Sequence, residues 1–279
     1  MFKKLKKKAT QAAKSVKRNA SKAGRSVKRA GGSVRRGASK AGRGARSIGS
    51  SAASVAQETG NRVAGLPEAA LNAAGVLPTK KLRLRVVVLA DANGDPVLPA
   101  VGGDSTEERV MVVIDVAKEI FRDNARVKIV PAGGTFVTVD RKPAPAAALK
   151  VRCKGGAMKD ELGEAGAYFR SRAVENRIGR ITGNGAPIKA FVVADVIGTL
   201  GCSLGPLTDY VTVDVDGVAR DETLAHEIGH ALGLPHTGGG GRVVASSSPQ
   251  NMMLSSGGGR HLNRRQVVLL RNSRHVTLR

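Results

Sequence analysis

Aromatic residues are scarce in this chain of 279 residues, which has no Trp, two Tyr and five Phe. Its only two cysteines, Cys153 and Cys202, cannot build the disulfide framework of a small secreted scaffold. They leave two readings open: one pair formed in an oxidising compartment, or two buried thiols in the cytosol. No apolar run reaches the length of a membrane span; Val86-Val87-Val88-Leu89-Ala90 is among the longest. The start, Met1 to Lys8, would serve as the basic part of a secretory signal, but no apolar core follows it. These absences predict a soluble chain, either cytoplasmic or exported by a route other than a Sec signal.

Acid is missing from the N-terminal fifth of the sequence. Residues 1–57 carry 17 Lys and Arg and no Asp or Glu, whereas the rest of the chain carries 29 bases against 22 acids. The net charge of +24 is therefore concentrated in an arm. Ser15-Val16-Lys17-Arg18 returns as Ser26-Val27-Lys28-Arg29 and, altered, as Ser33-Val34-Arg35-Arg36. Small apolar residues recur at helical spacing, but seven glycines between Gly24 and Gly49 each disfavour helix by about 1 kcal/mol relative to Ala. The expectation is disorder in isolation and partial helix on an anionic surface. Nucleic acid and an anionic membrane are candidate partners, beside a role as targeting segment or a plain solvated tail. With one Phe and no Tyr or Trp, binding of nucleic acid would be electrostatic rather than by stacking.

What is present in most informative form is the run His226-Glu227-Ile228-Gly229-His230-Ala231-Leu232-Gly233-Leu234-Pro235-His236. On a helix His226 and His230, four apart, project from one face a turn apart. Glu227 can then face a water held at the metal rather than the metal itself. Gly233 lets the helix stop, Pro235 keeps it from resuming, and His236 arrives from outside as a third ligand. Three neutral imidazoles leave the fourth zinc position open, which marks a catalytic rather than a closed structural site.

This motif resembles that of the metzincin zinc metallopeptidases, whose second hallmark is a methionine-containing turn. Asn251-Met252-Met253-Leu254 is similar to that turn, and the resemblance makes Met253 the residue beneath the zinc, with Met252 as the alternative. It implies zinc as cofactor, His226, His230 and His236 as ligands, and Glu227 as general base in peptide hydrolysis. Family members often use a Tyr after the Met-turn; this chain has only Tyr168 and Tyr210, so that role stays unassigned. Cys153, in Arg152-Cys153-Lys154-Gly155-Gly156, is similar to the cysteine latch of some metzincin pro-segments, though it lies inside the expected domain rather than before it.

Patterning divides the chain into the arm, 1–57, a linker, 58–79, with one short helix at 68–74, and a catalytic domain, 80–279. The predicted elements are a buried strand over 82–90 and a helix opened by a Ser105/Glu108 capping box, with Val110, Val113, Ile114, Ala117, Ile120 and Phe121 inward. A strand follows over 126–130, then a helix over 160–178 and a buried strand over 188–196. An edge strand over 200–204 and a half-exposed strand over 208–215 come next. The zinc helix runs from an Asp221 cap to Leu232, and a last helix covers 263–272. This order matches the metzincin domain: an α+β fold in which a small mixed, twisted sheet carries an active-site helix and a C-terminal helix. His261 and His275 read as surface histidines, and Asp91 to Asp95 as a turn rather than a calcium loop.

The functional expectation is a zinc endopeptidase acting on protein or peptide substrates, its arm on an anionic surface. The alternative is a non-catalytic binding protein that works through its arm on an inert metzincin scaffold. Glu227 weighs against that alternative, because a scaffold has no physical need for it.

Overall fold

Leu82, Leu84, Val86 and Val88 turn to one side of an extended run and Val87 and Leu89 to the other, so the run is apolar on both faces. Such a strand belongs in the middle of a sheet. In the computed structural model of the protein, which describes residues 77–153, 163–173, 185–237 and 249–278, it is β1 (Lys80–Ala90). On one side β1 pairs in parallel with β2 (Val127–Pro131) along its first half and with β3 (Val137–Pro143) along its second. It also pairs in parallel with β5 (Ile188–Val193), which continues to β8 (Tyr210–Asp214). The sheet ends in a short antiparallel strand, β7 (Gly201–Ser203). β9 (Val276–Thr277) adds antiparallel to the start of β1, and β4 (Lys150–Val151) with β6 (Asp195–Val196) forms a separate parallel pair.

Helices cover both faces. α1 (Thr106–Ala125) starts at the expected capping box: Ser105 Oγ accepts from the Glu108 N–H, and the Glu108 carboxylate accepts from the Ser105 N–H at 2.7 Å. All six residues expected on its inner face are buried. They pack with α5 (Thr223–Ala231) and α6 (Arg264–Arg271) into the larger core. On the opposite face α2 (Ala146–Leu149) and α3 (Glu164–Ala173) close a smaller core around Phe169, Phe191 and Tyr210. The result is the mixed sheet and α+β architecture expected. Among the described residues no helix is long and apolar enough to cross a membrane.

Three expectations need correction. The strand over 208–215 reads as half-exposed, yet every residue of β8 is buried, and Val215 already opens the short α4 (Val215–Val218). Its polar residues are satisfied inside: Thr212 Oγ1 donates to Cys202 O, and Asp214 caps α4 by accepting from the Gly217 N–H. Asp221 does not cap the histidine-bearing helix; Glu222 holds the N-cap position without a side-chain bond, and Asp221 instead faces Arg260. His275 is buried rather than exposed, its Nδ1–H donating to Ala186 O at 2.8 Å. The segment after Pro131, left unread from sequence, supplies β3, α2 and β4. Of the helix expected over 160–178 the described part is α3. The arm, the short helix at 68–74 and the glycines 238–241 lie outside the described residues.

The two cysteines are joined, Cys153 to Cys202, across 49 residues of sequence. The bond leaves Cys153 no free thiol for a metal latch.

Candidate metal centre

α5 turns its histidines into a cleft because its apolar residues, Leu224, Ala225, Ile228 and Ala231, commit the opposite side to the core. The helix ends where glycine permits it to. Gly233 adopts φ 90°, its N–H bonds to His230 O, and the Leu234 N–H reaches back to Gly229 O. This is a Schellman end, and it turns the chain sharply enough to bring His236 back over the helix.

The three side chains meet. His226, His230 and His236 Nε2 atoms lie 3.0 to 3.1 Å from one another. His226 Nδ1 is 2.7 Å from Met252 O and His230 Nδ1 is 2.8 Å from Leu234 O. A carbonyl oxygen only accepts, so both protons sit on Nδ1 and both Nε2 atoms present bare lone pairs. Burial pushes both pKa values down, that of His230 to about 4, and lowers that of His236 as well, so the cluster is neutral at neutral pH. Bare nitrogens facing one another repel unless a cation lies among them. Imidazoles about 2.0–2.1 Å from a tetrahedral metal stand roughly 3.3 Å apart, close to the spacing here. The three histidines form a site that could hold a metal ion.

Glu227 lies beside this cluster, 6% exposed. Burial raises its carboxyl to about 8. It fits there because Gly201 of β7 has no side chain: a Cβ at Gly201 would stand 2.7 Å from Glu227 Cγ. The cleft, about 890 Å³, runs between residues 197–203 on one wall and 255–258 on the other, with the three histidines, Glu227 and Met252 on its floor. The disulfide lies in its wall, since Cys153 and Cys202 both line it. Arg260 pairs with the start of α5 through Glu222 at 2.9 Å and Asp221 at 3.4 Å.

Residues Asn251 to Leu254 form a β-turn closed by the Leu254 N–H on Asn251 O. Both methionines are fully buried. Met252 lines the cleft and orients His226 through its carbonyl, while Met253 packs its sulfur under the helix at Gly229. A Cβ at Gly229 would meet Met253 Sδ at 2.6 Å, so this mid-helix glycine is there for the turn beneath it. His261 is exposed, and neither it nor His275 belongs to the cluster.

The sequence reading missed Gly201, Gly229 and the polar groups that tie the turn to α6. Gly201 carried a legible signal, since glycine inside a strand marks close approach of another group. The sequence matches no protein-family model, and no curated protein is detectably similar to it.

Proposed function

We propose that the chain is a zinc-dependent endopeptidase of metzincin type. The observation that carries the proposal is the convergence of three imidazole nitrogens beside a buried carboxylate on the floor of an open cleft. His226, His230 and His236 would hold the zinc. Bound there, zinc would polarise the scissile carbonyl and acidify water to a pKa of about 7.

The protein's own groups do the rest. Met252 O and Leu234 O keep the imidazoles in the tautomer that presents Nε2. Glu227, buried beside the three histidines, would be held ionised by a cation among them, and would then accept a proton from the attacking water and return it to the leaving amine. β7 is the terminal strand of the sheet and lines the cleft, so an extended peptide can align along it by main-chain hydrogen bonds. A non-catalytic scaffold would gain nothing from burying Glu227, because an unpaired carboxyl in that position is destabilising.

The test is cleavage of a diverse peptide library by the full chain. Cleavage that stops on chelation and returns with zinc supports the proposal; a zinc-loaded protein that cleaves nothing removes it. The arm's 17 bases and lack of acid support a role in carrying the enzyme to an anionic surface. Salt titration of binding to duplex DNA and to anionic vesicles tests that role, which fails if neither binds near physiological salt.

A further inference from the structure

We infer that Asn251 is a positioning residue for two of the three histidines, working through a buried carboxamide cluster that reaches back to α6. The inference rests on the metal-centre reading and not on peptidase activity.

One peptide unit joins Met252 to Met253. Its carbonyl accepts from His226 Nδ1–H at 2.7 Å, and its N–H donates to Asn251 Oδ1 at 2.9 Å. Because a peptide is planar and rigid, fixing its N–H fixes the direction of its carbonyl and so the plane of the His226 ring. The same Asn251 oxygen accepts from Thr237 Oγ1 at 3.4 Å. Thr237 directly follows His236, and its N–H donates to Met253 O at 2.8 Å. A single oxygen thus holds the carbonyl that orients one histidine and the residue that anchors another.

That oxygen is itself held. Gln266 Nε2 donates to it at 3.0 Å, while Asn251 Nδ2 donates back to Gln266 Oε1 at 2.8 Å. Gln266 Oε1 also accepts from the Asn263 N–H at 2.9 Å, which makes it half of the capping box that opens α6. The Met253 N–H can face only an oxygen, so the orientation of the Asn251 amide has one solution. Asn251, Gln266 and Thr237 are each at most 3% exposed. An apolar cluster could fill this volume as stably; a satisfied polar one specifies a single geometry. A capping box alone would not need Asn251, and the turn alone would not need Gln266.

The test measures metal affinity of the full chain by competition with a chromophoric chelator, using zinc(II) and cobalt(II). It also records the cobalt visible spectrum and the melting temperature of the metal-free protein. Asn251→Ala is expected to weaken both metals 10–100-fold and to alter the cobalt spectrum. Asn251→Asp, which keeps the accepting oxygen but sets a second acceptor against Gln266 Oε1, should recover only part of that loss. If Asn251→Ala does not fold, Gln266→Met removes one donor to the same oxygen at similar side-chain length and is expected to weaken binding in the same direction. Variants that melt lower yet bind both metals within twofold of wild type would reduce the cluster to a structural role. A wild type that binds neither metal would overturn the metal-centre reading itself.

Discussion

Reducing the single disulfide perturbs the protein at one identifiable place, and the size of the effect can be worked out. Cys153 and Cys202 close a loop of 49 residues. The loop-entropy relation for that length gives about 4 kcal/mol of stability, acting through the unfolded chain. For a domain of this size each kcal/mol moves the melting temperature by roughly 2–4 °C, so reduction should lower it by about 8–16 °C. A local effect is added to the global one. Cys202 is the middle residue of β7, which is paired on one side by three residue pairs, and Gly201 next to it lies against Glu227. Calorimetry of the oxidised protein, the reduced protein and the Cys153→Ser/Cys202→Ser variant measures the first effect. Hydrogen exchange of the 200–204 amides measures the second. A reduced protein that melts within about 2 °C of the oxidised one would refute the loop argument, and unchanged exchange at 200–204 would refute the local one.

Further expectations concern single residues. His230→Ala should lose both metal and cleavage, as read by metal analysis beside the library assay; retention of stoichiometric metal would remove it as a ligand. Gly229→Ala would ordinarily strengthen a helix by about 1 kcal/mol, but crowding against Met253 Sδ costs about 1–3 kcal/mol, so the melting temperature should fall; a rise would show that the methionine moves freely. His275, buried against Ala186 O with Arg274 and Asp209 beside it, has its pKa pushed down to about 4 by burial, below its unfolded value near 6.5. The unfolded chain therefore binds the extra proton first, and stability present above pH 6.5 is lost as pH falls below it. His275→Asn should flatten that part of the stability-against-pH curve, and an unchanged curve in chemical denaturation would contradict the assignment.

Local signals were legible wherever one interaction dominated. The Ser105/Glu108 capping box, the inner face of α1 and the Gly233 stop all follow from short-range rules, and all stand as expected. So does the turn at Asp91, whose carboxylate accepts from the Asn93 and Asp95 N–H groups. The readings that failed depended on partners distant in sequence. Thr212 looks solvent-facing until Cys202 O, on the neighbouring strand, accepts from it. Asp221 looks like a cap until Arg260, 39 residues away, engages it. His275 looks like a surface residue until Ala186, 89 residues away, covers it. At the site, spacing placed His226, His230 and His236 on the right turns. The carbonyls that set their tautomers, and the Asn251–Gln266 clasp behind them, exist only once α6 has packed under the turn.

The most direct measurement compares wild type with Glu227→Ala at matched zinc content on the same peptide library. The account predicts cleavage by wild type and, for the variant, a loss of about 10²–10⁴ in rate with zinc retained. Equal cleavage by both proteins, or none by a zinc-loaded wild type, would contradict it.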